Sequence, residues 1–427
     1  MKRIHRHFFV VFLLALFPFS VLFNSCNKED DQPELNEENE AFFEVMKEWY
    51  YWTENIPNIN PSAYPSLFHV LDAVRYQELD RWSFIADWDE FYAYITNTEF
   101  VGYGLGFAWD NEGKFRVSHI YNNVPIYDQG VRRGWILDVV NGTVLQPGTN
   151  IGTLLGPNQP GVSNDFRFIT PEGEEVNFSL QKEVLAVNTI LHYEVIQQEG
   201  SKVGYLVLQN FSGSTKQELE NVFQFFSEQQ IDDLILDLRY NGGGLTSIAR
   251  QLSSLIAGSE VVGEPYARYY YNSFKEDRNK TEFFTQEANS LGLDRLVVIA
   301  TGATASASEM VINGLRPYMD VFVVGSNTYG KPMGADILRF NNIWAVAPIT
   351  ISVKNADDEG EFFDGIQADI IANDGLSYDF GDLLEPSLQH SLAFLYSGIT
   401  KGETLQAPVY RQPWEDMTGL RRWIGGF

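Results

Sequence analysis

Residues 301–331, TGATASASEMVINGLRPYMDVFVVGSNTYGK, place two hydroxyls, Ser306 and Ser308, and one amine, Lys331, at opposite ends of a helix-then-strand unit. A serine becomes a nucleophile when a base takes its proton, and a lysine is such a base once its surroundings disfavour the charged form. Burial does this: lowering a lysine from a pKa of ~10.4 to about 7–8 costs roughly 3–5 kcal/mol, which a folded domain can supply at one position. The same string has a purely structural reading. Ser306-x-x-Glu309 is a capping box, in which the serine caps a helix, the glutamate reaches back and Lys331 is an ordinary loop residue.

The elements that would position these groups are legible in the pattern. Ala303, Ala305 and Ala307 permit a tight turn, and Met310, Val311, Gly314 and Leu315 recur at helical spacing until Pro317. Residues 321–324 form an apolar run suited to a buried strand, and the loop 325–330 delivers Lys331. Upstream, DDLILDLRYNGGG (232–244) reads as a strand from Leu234 to Leu238 followed by Arg239, Tyr240, Asn241 and three glycines. Such glycines can aim main-chain N–H groups at a developing oxyanion, which needs two donors, or can simply turn the chain from strand to helix. Downstream, EFFDGIQADI (361–370) follows another strand.

Four motifs in this order over about 130 residues are far more specific than any one of them. Asp237–Gly244, Thr304–Glu309, Thr328–Lys331 and Gly365–Asp369 together resemble the hallmarks of the carboxyl-terminal processing (tail-specific) serine proteases. The resemblance implies a multidomain α/β protein: a small helical N-terminal domain, a PDZ-like β-rich domain and a protease core of the crotonase-like ββα type. In that family the nucleophile lies 25 residues before the lysine, which selects Ser306 over Ser308, with Lys331 as base. The oxyanion hole would then draw on Gly242, Gly243 and Ala307, the last at a helix start whose dipole favours negative charge. The family usually has a glutamine four residues after the lysine, where this chain has Ala335; Asp336, next along, is the candidate to orient the amine. The departure keeps open a second reading, a protein of the same fold that binds peptides without cutting them.

Residues 101–185 resemble a PDZ domain. Tyr103 is followed by Gly104, Leu105, Gly106 and Phe107, matching a carboxylate-binding loop, then by an alternating strand (Phe115, Val117, His119) and by VPIYDQGVRRGWILDVVNG (124–142). Main-chain N–H groups in such a loop bind a terminal carboxylate while the adjacent strand edge pairs with the peptide; the structural alternative is a β-turn with two glycines. The implied partner is a polypeptide with a free carboxyl terminus.

Before these, residues 1–26 read as an export signal: Lys2, Arg3 and Arg6, an apolar stretch from Phe8 to Phe23, then Asn24, Ser25 and Cys26. Cys26 is the only cysteine, and it stands where a bacterial lipoprotein signal is cleaved and the new amino terminus lipidated. This implies a cell-envelope protein held to its membrane by lipid. Phe23, a loose match to the usual leucine-containing lipobox, leaves open cleavage by ordinary signal peptidase, and on either reading the protein is exported, with no disulfide within the chain. The acidic segment 27–40 reads as a disordered tether and also resembles the stretch that follows the lipidated cysteine in surface lipoproteins of Bacteroidetes-like bacteria. Without residues 1–25, 27 basic side chains face 57 acidic ones, a net charge near −30 that excludes nucleic acid as a partner.

Residues 41–100 are rich in aromatics, including Phe42, Trp49, Trp52, Trp82 and Trp88, and read as a helical domain broken by prolines 57, 61 and 65. The protease domain is assigned to 186–400, with a parallel sheet, a strand at Trp344–Val353, a closing helix near Leu383–Leu395 and an insertion at 259–294 near the site mouth. Residues 401–427 form a tail of unassigned role. The histidines outside the signal (His69, His119, His192, His390) occupy no recognisable triad setting, and no metal-ligand spacing or phosphate loop is present, so neither metal nor cofactor is implied. The oligomeric state is not encoded in any motif.

Overall fold

The computed structural model describes residues 36–397; Cys26, most of the acidic tether and the 401–427 tail lie outside it. At the core is a six-stranded sheet in the order Ile190–Gln198, Ser201–Leu208, Asp233–Asp237, Arg295–Ala300, Asp320–Gly325, Ile370–Ile371. The first pair is antiparallel and the rest are parallel. Period-two alternation sends Leu206, Leu208, Leu234, Leu236, Leu296 and Val298 to one face, where the helices Thr215–Gln229, Thr246–Ala257 and Ala307–Leu315 cover them. Val203, Tyr205, Val207, Ile235, Val297 and Ile299 go to the other, against Leu388, Leu392 and Leu395 of the helix Pro386–Ser397. Both faces are therefore apolar, which is why the central strands carry the hydrophobic runs 234–236, 296–300 and 321–324.

Three parallel strands finish on the same edge of this sheet. Asp237 runs into the glycine loop, Ala300 into the turn that ends at Ser306, and Gly325 into the loop that ends at Lys331. The sheet thus gathers three distant motifs at the carboxyl ends of its strands, the usual ligand site of an open α/β sheet.

Several boundaries differ from the sequence reading. Helix Glu37–Trp49 starts inside the segment expected to be a disordered tether: the Asn36 side chain accepts from the Asn39 N–H at 3.2 Å, and Glu37, Glu38 and Glu40 suit the positive end of the helix. The aromatic N-terminal region is not a separate core. Phe42, Met46, Tyr50, Val70, Trp82 and Ile85 share one cluster with Met333, Phe340, Val346 and Ile349, and Phe84–Asp87 pairs with Trp344–Ala347. The expected single strand from Trp344 to Val353 is two, Trp344–Ala347 and Ile349–Lys354, in different sheets; Pro348 separates them. Residues 259–294, expected as an insertion near the site mouth, do reach the pocket through Tyr266 and Ala267, but they are also part of the core: Pro265–Tyr270 pairs with Ile349–Lys354, and Tyr266, Ala267, Tyr269 and Tyr271 are buried there.

Residues 105–181 build another sheet, in the order Leu105–Trp109, Phe115–Ile120, Ile136–Val140, Ser163–Ile169, Glu175–Gln181. The strand Phe115–Ile120 does not alternate throughout: Ser118, His119 and Ile120 are all buried, because this end packs against the core domain.

Candidate active site

Ser306 sits where the strand Arg295–Ala300 has turned into the helix Ala307–Leu315, with φ 57° and ψ −113°. Backbone there is strained for any residue but glycine, at a cost of about 1–3 kcal/mol, and persists only where neighbours over-determine it. They do. The Ser306 N–H donates to Glu309 Oε2 at 2.8 Å, Ala305 N–H donates to the Asn241 carbonyl at 3.1 Å, and Thr304 Oγ1 donates to the Leu238 carbonyl at 2.8 Å. The fold separates the two hydroxyls: Ser308 is fully buried and donates to the Asn241 carbonyl at 2.9 Å, whereas Ser306 lines a pocket.

Lys331 lines the same pocket and is 9% exposed. Its walls are mostly apolar, from Tyr266, Ala267, Met310, Met333, Val353 and Phe362. The loop that carries the lysine is fixed through its main chain. Gly330 has φ +85°, and a Cβ there would fall 2.3 Å from the Phe363 carbonyl oxygen; Gly365 has φ +89°, and a Cβ there would fall 2.2 Å from the Thr328 carbonyl oxygen. The two glycines of separate motifs are thus required by each other's backbone. Thr328 completes the contact, its N–H donating to the Ile366 carbonyl at 3.0 Å and its hydroxyl oxygen accepting from the Ile366 N–H at 2.7 Å.

Glu309 joins the two ends of the unit. Fully buried, it accepts from Thr328 Oγ1 (2.6 Å) and Gly330 N–H (2.7 Å) on Oε1, and from Ser306 N–H (2.8 Å) and Lys331 N–H (2.8 Å) on Oε2. Burial pushes its carboxyl up, and the four donors oppose that push. Sequence reasoning assigned this residue only to a helix cap. The reach-back to Ser306 exists, but three further donors come from residues 19 to 22 positions away. The one available signal was an acid set in an otherwise small and apolar run.

The glycine loop approaches from the other side. Gly243, at φ +107°, lies so close that a Cβ would meet Ser306 Cβ and the Ala305 carbonyl oxygen at 2.9 Å and the Ala307 nitrogen at 3.0 Å. Its N–H donates to Asn241 Oδ1 at 2.9 Å. Of the three expected oxyanion donors, Gly243 therefore has its amide committed inside the loop. The Gly242 and Ala307 amides carry no such commitment among the described residues.

Behind this loop lies a buried charge network that sequence reasoning missed. Arg239 donates to Asp237 Oδ2 (2.6 Å), Glu385 Oε1 (2.7 Å) and Asp374 Oδ1 (3.1 Å), and Arg133, from the 105–181 sheet, donates to Asp374 Oδ1 at 2.7 Å. The Tyr240 hydroxyl donates to Asp374 and accepts from Arg133, and its ring stacks on His119. Burial pushes the Asp374 carboxyl up, but Arg133 and Arg239 outweigh it and hold the group below its ordinary value. Burial, with Arg133 beside it, pushes His119 down to about 3, so this imidazole is neutral.

The remaining candidates lie apart from the pocket lining. Asp336 accepts from Thr350 Oγ1 at 3.1 Å and stands beside Tyr271, whose phenol is pushed up to about 12 by burial and by that carboxylate. Gly104, Leu105, Gly106 and Phe107 are all buried; a Cβ at Gly106 would overlap the His119 ring, and among the described residues the strand Leu105–Trp109 pairs on one side only. Among the described residues no group of His, Cys, Asp and Glu is arranged to hold a metal ion, and no helix is long and apolar enough to cross a membrane.

Residues 202–372 match peptidase family S41, and residues 37–84 match the peptidase S41 N-terminal domain. The carboxyl-terminal-processing protease of Synechocystis is 25% identical over 269 residues, 62% of this chain and 60% of that protein. Its counterpart from Picosynechococcus is 29% identical over 150 residues, 35% of this chain and 34% of that protein. The matched stretch thus spans about 60% of the first relative's length and about a third of the second's. A crystal structure of a Bacteroides fragilis chain described as an S41 protease has the same fold, with a TM-score of 0.70 and 23% identity over 84% of this chain and 97% of that one. With both the N-terminal and the core regions matched and the fold shared, the chain belongs to peptidase family S41.

Proposed function

We propose that the protein is a serine endopeptidase of the carboxyl-terminal processing type, working by a Ser306/Lys331 pair. The observation that carries this is the single pocket lined by both residues, with Ser306 on a strained strand-to-helix turn and Gly243 packed against it. Lys331, as the neutral amine, takes the Ser306 proton as Oγ attacks the scissile carbonyl. The Gly242 and Ala307 N–H groups face the oxygen that becomes negative, and the ammonium then returns its proton to the departing amine. Water, deprotonated by the same lysine, then attacks the acyl carbonyl; the C–Oγ bond breaks and the ammonium returns the proton to Ser306 Oγ as the new carboxyl end leaves.

Substrate capture belongs to the 105–181 sheet, in the manner of a PDZ domain: the Gly104–Phe107 stretch takes a terminal carboxylate and the open side of the adjacent strand pairs with the peptide. Since these four residues are buried, capture requires the region to open. Export and lipidation at Cys26 would hold the enzyme at the cell envelope; replacing Cys26 with alanine should then release it from membranes.

Ser306→Ala and Lys331→Ala should each lower cleavage of denatured casein by at least roughly 10³-fold while leaving thermal unfolding unchanged. Persistent cleavage by the Ser306→Ala protein would refute the assignment. A second reading, a peptide-binding protein that does not cut, is favoured by Ala335 in the place of the family's glutamine and by the commitment of the Gly243 amide to Asn241. It predicts no casein products from pH 6 to 10 alongside measurable binding of peptides with free carboxyl termini.

A further inference from the structure

We propose that Arg81, from the N-terminal region, is a positioning residue for Lys331; this rests on the Ser306/Lys331 reading above. Its Nη2 donates to the carbonyl oxygens of Tyr329 at 3.0 Å, Gly330 at 3.4 Å and Phe363 at 3.1 Å. The guanidinium also lies 4.9 Å from the Tyr329 ring centroid and 5.1 Å from that of Trp82. The acceptors it meets on this loop are main-chain carbonyls rather than carboxylates. The cation faces the outward carbonyls of the peptide units leading into Lys331. Glu309 holds the inward N–H groups of the same units. A carboxylate and a guanidinium therefore grip one short stretch of main chain from opposite faces, each aligned with the peptide dipoles.

The turn that presents Arg81 is itself rigid. Asp80, 3% exposed, accepts from the Trp82 N–H (2.9 Å), Ser83 N–H (2.9 Å), Ser83 Oγ (2.6 Å) and the Tyr50 hydroxyl (2.7 Å). Trp82 stacks on Phe363 at 6.2 Å, so the turn bears on both loops that meet at Gly330 and Gly365. The N-terminal region in this way reaches the base of the reaction without touching substrate. All three bonds come from Nη2 while the flat guanidinium lies against the Trp82 and Tyr329 rings, an arrangement that the compact ammonium of a lysine reproduces only in part.

The test is steady-state cleavage by Arg81→Ala and Arg81→Lys, with melting temperatures and pH–rate profiles. Loss of the outer grip should lower kcat roughly 10- to 100-fold with KM within about threefold, because a misplaced base costs turnover more than binding. The pH limb that reports the lysine should move, and Arg81→Lys should recover part of the loss. If Arg81→Ala does not fold, the lysine variant alone should still show the kcat loss and the displaced limb. Wild-type kcat in either folded variant, or a loss that follows only a lower melting temperature with an unmoved pH profile, overturns the role of Arg81 while Ser306-dependent cleavage stands. Cleavage independent of Ser306 overturns the reading beneath it.

Discussion

The two loops that flank Ser306 are held in opposite ways. The glycine loop at 238–244, whose proposed task is to offer main-chain N–H groups, is anchored by side chains: Arg239, Asp237 and Tyr240 tie it to Asp374, Glu385 and Arg133. The loop at 326–331, whose proposed task is to offer a side chain, is anchored by its main chain, through Glu309, Arg81 and the Gly330–Gly365 contact. Each loop is anchored largely through the part that its proposed task does not use, although the Gly243 amide is spent inside its own loop. The difference shows why the motifs contain the residues they do: charges in one and glycines with a threonine in the other.

Breaking the side-chain anchor should have the largest effect on stability. Arg239→Met leaves Asp237, Asp374 and Glu385 buried without their shared cation, and should cost about 3–5 kcal/mol in urea unfolding. Glu309→Gln tests the main-chain anchor. On the Oε2 side the new NH2 meets the Ser306 and Lys331 N–H groups, and on the Oε1 side the Gly330 N–H, so unmet buried groups should cost about 1–3 kcal/mol while cleavage falls roughly 10²-fold. A stability loss larger than that of Arg239→Met would erase the contrast between the loops. Gly330→Ala comes next: positive φ and the 2.3 Å approach to Phe363 force the loops apart, with about 1–3 kcal/mol lost and cleavage down roughly tenfold.

The charge network also has a pH signature. Asp374 is held below its ordinary value, so its contribution is complete above roughly pH 4 and is lost as pH falls through the depressed value. Arg133→Met should flatten that acid limb in unfolding measured from pH 2 to 6; an unchanged limb would show that other carboxyls carry it. The smallest effect is expected of Asp336→Asn, which can keep the bond from Thr350 and should change cleavage less than about threefold. A displaced pH–rate profile in that variant would instead give Asp336 the orienting task.

Much of the core could be read from the chain because its signals are local. The strands at 233–237, 295–300 and 320–325 have apolar centres at 234–236, 296–300 and 321–324, and the helix at 307–315 follows from spacing. The N-terminal boundary was misplaced because aromatic side chains around Phe42 and Trp82 look like a self-contained core, and nothing local reveals that their partners are Met333 and Ile349. Glu309 was undervalued for the same reason. Its cap partner is three residues away and legible, while the donors at 328, 330 and 331 are brought back only by the strand Asp320–Gly325.

By itself the sequence determined the identity and order of the candidate reacting groups, since residue type and spacing are properties of a line. Only the tertiary structure decided that the Ser308 hydroxyl is consumed by Asn241, that Gly243 turns its amide inward, and that Arg81 reaches a loop some 250 positions away. Those outcomes depend on directions of donors and acceptors across a sheet edge, and direction exists only once parallel strands have brought their carboxyl ends together.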